Sequence, residues 1–127
     1  MRKMFAVLSV ASFVAALAAP ALAAPETVKG QVVDQSCYMM DKSNNGMDHK
    51  MKSGDVKDCA VACAKKGQPL ALLTSDGKVY QITGDLAANN NEKLVPHVSH
   101  TIEVTGDVSE MSGKMMIAGA SMKMISK

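Results

Sequence analysis

The chain has very few aromatic residues: two Tyr, two Phe and no Trp among 127 residues. It also lacks a strong charge of either sign, since its formal net charge is only +2. Proteins that bind single-stranded nucleic acid stack the bases on aromatic side chains in a basic groove. The composition therefore argues against a nucleic-acid partner, and it predicts a core built from Val, Ile, Leu, Ala and Met.

Sequence motifs of the common enzyme mechanisms are missing as well. The chain contains no CxxC pair, no haem-attachment CxxCH, no glycine-rich phosphate loop and no nucleophile elbow. No Ser-His-Asp set or pair of carboxylates can be singled out. We therefore predict no catalytic residue and a non-enzymatic role.

The N-terminal segment has the composition of a secretion signal. A basic start is followed by an uncharged apolar run over 5–19 and by an Ala-Leu-Ala cleavage site that ends at Ala23. A retained membrane anchor is the alternative, but the run is rich in alanine and ends in that cleavage site. We expect residues 1–23 to be cleaved as a signal peptide. One small domain over 24–127 would remain, periplasmic or secreted and without a membrane anchor.

The pattern after the signal predicts a mainly β fold. β-Branched or alternating segments bounded by turn residues indicate five strands. They lie at 27–34, 70–74, 78–83, 101–108 and 114–118, with an extension over 121–125. The segment 35–54 is polar and aperiodic, which predicts a long loop.

One helix is predicted over 55–66. Acidic residues occupy its first turn, lysines occupy its last turn, and Gly67 follows as a stop signal. A further helical turn is expected near 91–95. This order matches a small five-stranded OB-like barrel with one helix inserted between strands 1 and 2. An open sheet with the helix packed on it is the rival architecture.

All three cysteines lie in the segment that carries the predicted loop and helix. Cys37, Cys59 and Cys63 share this segment with His49. Cys59 and Cys63 are spaced i, i+4, which places both thiols on one face of the predicted helix. Three thiolates and one imidazole suit zinc or copper(I), so these four residues are the predicted metal ligands. A storage, delivery or sensing role for the metal would follow.

The cysteines also fit a disulfide or a place in the apolar core. A disulfide from Cys37 to Cys59 or to Cys63 would fix the loop to the helix, with about 3 kcal/mol from loop closure. The protein would then be a disulfide-stabilised envelope or interaction domain without metal, whose partner is another envelope protein. If the cysteines belong to the apolar core, Cys59 and Cys63 lie on the apolar face of the helix, because free cysteine is often buried.

A short stretch between the cysteines favours the metal. Met47-Asp48-His49-Lys50-Met51 resembles the Met/His motifs of bacterial periplasmic copper-resistance proteins. The resemblance implies copper binding through imidazole and thioether groups, and copper(I) prefers sulfur ligands on physical grounds too. Met47 and Met51 are therefore the predicted auxiliary ligands. His97 and His100 are candidates for a second metal or for the first, although loop histidines are more often simply exposed.

A broader resemblance covers most of the chain after the signal. It rests on Val-x-Gly-x-Val-Val-Asp-x-x-Cys-Tyr at 28–38, His49, Cys-Ala-x-x-Cys-Ala-x-x-Gly-x-Pro at 59–69 and Leu-Leu-Thr-x-Asp-Gly-Lys-Val-Tyr at 72–80. This pattern resembles an uncharacterised family of small secreted bacterial proteins. The resemblance implies an exported single domain and implies no activity.

Overall fold

Seven strands and three short helices follow one another in residues 24–45, 50–51 and 54–127, which are the residues that the computed structural model describes. They are β1 (Glu26–Asp34), α1 (Gln35–Met40), β2 (Lys50–Met51), β3 (Gly54–Asp55), α2 (Val56–Lys65), β4 (Leu70–Leu73), β5 (Val79–Thr83), α3 (Ala88–Asn91), β6 (Thr101–Met111) and β7 (Lys114–Ser126). Single 3-10 turns occur at Gly84–Ala87 and Val95–His97. The predicted signal peptide, 1–23, lies outside the described residues.

The five longer strands form one mixed sheet that closes into a ring in the order β1-β4-β5-β7-β6, with β6 paired back to β1. The β5–β7 pair is parallel, and the other pairs of the ring are antiparallel. β1 closes the ring because its first part pairs with β6 and its last part with β4. Gln31 lies opposite both Thr101 and Leu73. The prediction of a mainly β fold is confirmed.

The main core fills the interior of this ring. Alternate residues of the strands point inward, as the period of two in the sequence predicted for Ile102 and Val104. The inward side chains are almost all aliphatic, which agrees with the shortage of aromatic residues. The fully buried ones include Val32, Leu70, Leu72, Ile82, Leu94, Val98, Ile102, Val104 and Ile117.

α1 packs on the outer face of the ring, where the sequence predicted only loop. Tyr38 is buried there in a second cluster with Val33 of β1 and Ala71 of β4. The prediction of a loop over 35–54 was therefore wrong for Gln35–Met40. The helix forms because Asp34 provides its N-terminal cap and Tyr38 gives it an apolar contact. β2 and β3 form a separate two-stranded hairpin later in the same segment.

The predicted helix over 55–66 is confirmed as α2, and its C-terminal end is fixed by a distant residue. Gly67 follows the helix with a φ of 85°, the left-handed conformation that glycine tolerates best. The buried amide of Asn91 donates hydrogen bonds to the carbonyl oxygens of Ala64 and Gln68, each at 2.9 Å. These two bonds satisfy carbonyls that the end of a helix leaves without partners.

The predicted helical turn near 91–95 is present, and a left-handed turn precedes it. The backbone N–H of Leu94 donates to the carbonyl oxygen of Asn91 at 2.8 Å, and the 3-10 turn at Val95–His97 follows. Asn89, Asn90 and Asn91 all have positive φ values, between 53° and 59°, and therefore make the left-handed turn. Asparagine tolerates this conformation better than most residues. This turn orients the Asn91 amide towards α2.

β6 and β7 form the longest hairpin of the ring. The predicted extension of the last strand over 121–125 is confirmed, since β7 runs to Ser126. A shift in register between Thr105 and Gly106 lets the two strands bend. Among the described residues, none of the helices is long and apolar enough to span a membrane.

Candidate metal centre

The site begins where β1 ends. Asp34 is the last residue of the strand and the N-cap of α1, and its Oδ1 atom accepts a hydrogen bond from the backbone nitrogen of Cys37 at 3.0 Å. The carboxyl group is buried, with the residue only 4% exposed. The cap therefore fixes the first turn of α1, and with it the position of the Cys37 side chain.

α2 brings the other two thiols to the same place. Ala60 and Ala64 are buried in the main core, and they define the face of α2 that packs on the ring. Cys59 and Cys63 each precede one of these alanines, so they lie along the border of the packed face and remain partly exposed. The interpretation of both cysteines as fully buried core residues is wrong, because the alanines fill that role.

Asp34 and the other two thiols all affect the pKa of Cys37. Burial raises the pKa of the Cys37 thiol from its ordinary value of 9.0 to about 11. The negative charge of Asp34 is the next cause, followed by Cys59, Cys63 and hydrogen bonding to Asp34. Burial likewise raises the pKa of Cys63, with smaller contributions from Asp34 and Cys59. The thiols of Cys37 and Cys63 therefore hold their protons at neutral pH.

The cluster is an assembly of neighbouring thiols and not a finished coordination sphere. All three cysteines are free. Within the described part of the chain, no three Cys, His, Asp or Glu side chains take up the arrangement of a formed metal site. Cys37, Cys59 and Cys63 are therefore free thiols that lie close enough to affect the pKa of Cys37, and their role as metal ligands stays a prediction.

The remaining predicted ligands belong to the segment between α1 and α2. Met47 and His49 lie outside the described residues. Met51 ends β2, where its backbone pairs with Gly54 of the short hairpin. This hairpin leads directly into α2, so the Met/His stretch is connected by only a few residues to the helix that carries Cys59 and Cys63.

Asp34 is the one member of the cluster that the sequence analysis missed. It was assigned only to the end of the first strand. A signal was present in the sequence, because an Asp that ends a strand is a favourable N-cap for a helix that starts at the next residue. The cluster therefore contains a carboxylate as well as thiols.

The two remaining histidines form a separate pair before β6. The His97 and His100 rings meet edge to face, with centroids 6.1 Å apart, and His100 is 9% exposed. His100 is buried, whereas loop histidines are more often exposed. No Cys, Asp or Glu among the described residues completes a three-ligand group with them.

Comparison with known proteins gives no independent assignment. No family model matches the chain, and neither a curated protein nor a solved structure is similar to it. The function must therefore be argued from the ring, the thiols and the charges around them.

Proposed function

We propose that the chain is an exported, non-catalytic protein that binds a soft metal ion, copper(I) or zinc, for storage, delivery or sensing. Cys37, Cys59 and Cys63 would be the main ligands, with His49 as the fourth. The observation that carries the proposal is that every thiol of the chain lies in one partly exposed cluster beside Asp34.

The donor set fits a soft cation. Thiolate sulfur combined with one imidazole is a common zinc set, and thiolate and thioether sulfur select copper(I). The buried carboxylate of Asp34 adds a negative charge that favours a cation over an anion in the cluster. Because Cys37 and Cys63 hold their protons, metal binding would release protons and would become tighter as the pH rises.

The fold supports the proposal by providing a rigid base for the ligands. We further propose that the closed ring is an OB-like barrel, on the basis of its strand order and its parallel β5–β7 pair. β1 belongs to this ring and leads directly to Cys37, while α2 is held to it through Ala60 and Ala64.

Competition titrations test the proposal. Reduced protein is titrated with copper(I) or zinc(II) against a chromophoric chelator, and X-ray absorption distinguishes sulfur from nitrogen ligands. We expect one ion per chain and sulfur-dominated coordination, with Cys37→Ser, Cys59→Ser and Cys63→Ser each weakening binding about tenfold or more. Met111→Leu removes an exposed methionine of β6 and serves as the control without effect.

The auxiliary ligands are tested separately with His49→Ala, Met47→Leu and Met51→Leu. Loss of affinity for copper(I) but not for zinc in the methionine variants would identify copper(I) as the preferred ion, because thioethers are soft ligands. Unchanged melting temperature with either ion under reducing conditions, together with no bound metal, would rule out the proposal.

The disulfide-stabilised envelope or interaction domain is the alternative function, and the proximity of Cys37 to the two helix thiols favours it as well. Thiol counting and mass spectrometry of the protein isolated without reductant distinguish the two. Three free thiols that become protected when metal is added support the metal site. A stable bridge that is present on isolation and indifferent to metal supports the alternative.

A further inference from the structure

A cavity of about 530 Å³ lies beside α1, on the face away from the cysteines. Gln35, Ser36 and Met39 of α1 line it. At 100° per residue these three side chains share one side of the helix, and Cys37 projects to the other side. The cavity continues over β5 and reaches the turn between β6 and β7. It is therefore separate from the thiol cluster.

The charge of the cavity has one sign. Lys42, Lys78 and Lys114 line it from three different parts of the chain, and none of its lining residues is acidic. Lys42 is held over the ring of Tyr38, with its Nζ atom 4.6 Å from the ring centroid. Lys78 has a partner at 3.7 Å in Asp76, but both side chains are about 60% exposed, so this ion pair is weak.

Lys114 is the third lysine of the lining. Among the described residues, no carboxylate lies within salt-bridge distance of its ammonium group. It extends from the first position of β7, directly after the Ser112–Gly113 turn. Three lysines in a lining without a carboxylate favour an anionic ligand, because each lysine adds attraction for negative charge.

The rest of the lining combines apolar and uncharged polar side chains. Met39, Val79 and Met115 provide the apolar part, and Ser36, Gln35 and Gln81 provide the polar part. The Oε1 atom of Gln35 is buried and has no hydrogen-bond partner among the described residues.

We propose that this cavity binds a small amphiphilic organic anion, with an anionic headgroup among the lysines and a short hydrocarbon part on the methionines and Val79. The volume lies within the range of small-molecule sites, and such sites combine an apolar lining with a few placed polar groups. The headgroup chemistry is that of a carboxylate or a phosphate monoester. The inference does not depend on the metal proposal.

NMR titration of the isotope-labelled protein tests this with defined probes: hexanoate, hexyl phosphate, hexylammonium, hexanol and inorganic phosphate. We expect saturable shifts of the Ser36, Val79 and Gly113 amides with the two amphiphilic anions at millimolar concentration. Hexylammonium should give no saturable shifts of these amides. Hexanol and inorganic phosphate should bind at least about tenfold more weakly, since each offers only half of the required chemistry.

Charge-reversal variants locate the site. Lys114→Glu should weaken the binding of hexyl phosphate about five- to tenfold. Lys123→Glu is the same change on an exposed part of β7, and it should alter the affinity less than about twofold. Lys78→Gln, directly before β5, gives a second test if Lys114→Glu does not fold. Three results would each overturn the proposal. Hexylammonium could bind as tightly as hexyl phosphate, or the two charge-reversal variants could weaken hexyl phosphate binding equally. The third is that the amide shifts do not saturate with any of the anions.

Discussion

The carboxylate of Asp34 contacts Cys37 in two ways at once. Its Oδ1 atom accepts the backbone N–H of Cys37 at 3.0 Å, and its charge raises the pKa of the Cys37 thiol. One side chain thus starts α1 and adds to the effect of burial, which is the main cause of the raised pKa of Cys37. Helix capping and thiol chemistry can be separated by substitution, because asparagine is as good an N-cap as aspartate but carries no charge.

Asp34→Asn should retain α1 and lower the pKa of Cys37. The thiolate fraction at pH 8 then increases, and Cys37 reacts faster with iodoacetamide, because the thiolate is the reactive form. Asp34→Ala should also lose the cap and about 1 kcal/mol of the free energy of unfolding. Alkylation rates followed by mass spectrometry, together with urea unfolding, measure both effects. Equal alkylation rates in Asp34→Asn and the wild type would contradict the charge effect.

The raised pKa of Cys37 makes stability depend on pH in the alkaline range. The pKa is about 11 in the folded protein against 9.0 for an ordinary cysteine, so the folded state holds a proton that the unfolded state releases. This contribution is fully present below pH 9 and is lost as the pH rises through 11. We expect the urea midpoint to fall over this range, and to fall less in Cys37→Ser.

The comparison with Cys37→Ser isolates the thiol, because lysines and tyrosines that titrate in the same range are common to both proteins. Parallel midpoint curves for the two proteins between pH 8 and pH 11 would show that Cys37 makes no such contribution. The measurement must be made under reducing conditions, since oxidation would remove the titrating group.

Replacement of Asn91 by alanine should destabilise the protein by about 1–3 kcal/mol, because the carbonyls of Ala64 and Gln68 lose their partner. Alanine is also unfavourable at a positive φ. Asn89→Ala provides the matched control, since Asn89 has a φ of 53° but an exposed side chain. Chemical denaturation measures both variants. A similar loss in both would attribute the effect to the backbone conformation alone.

Gly106→Ala should also be strongly destabilising. A Cβ atom at this position would overlap the carbonyl oxygen of Ala118 on the paired strand, next to the register shift of β6. We expect a loss of roughly 1–3 kcal/mol, typical of overpacking. Ser109→Ala on the exposed part of β6 should change stability by less than about 0.5 kcal/mol. Thermal melting of the two variants side by side checks this.

The parts of the fold that were predictable depend on local pattern. The alternation in β6, the strands at 70–74 and 78–83 and the helix over 55–66 are all contained in short segments, and the structure has an element at each place. α1 was missed because six residues with a single buried side chain give no periodicity. The left-handed Asn89–Asn91 turn was missed because its cause is a contact with the end of α2, which no local pattern contains.

The candidate site also has features that follow from local sequence and features that depend on the packed fold. The shared helix face of Cys59 and Cys63 followed from their spacing alone. Their approach to Cys37 required the packing of α2 on the ring, which the sequence only suggested. Asp34 was missed because its role depends on the helix that begins immediately after it. The roles of Met47 and His49 stay predictions, since both residues lie outside the described part of the chain.

The hydrogen bonds from Asn91 also have a consequence for the order of folding. The Asn91 amide reaches back 27 residues to Ala64, one position after Cys63. A chain is made from its N-terminus, so Cys37, Cys59 and Cys63 are all synthesised before the residue that completes the end of α2. The thiols are therefore present in the growing chain before α2 has these two hydrogen bonds. Whatever first encounters them at that stage, an oxidant or a metal ion, competes with closure of the ring.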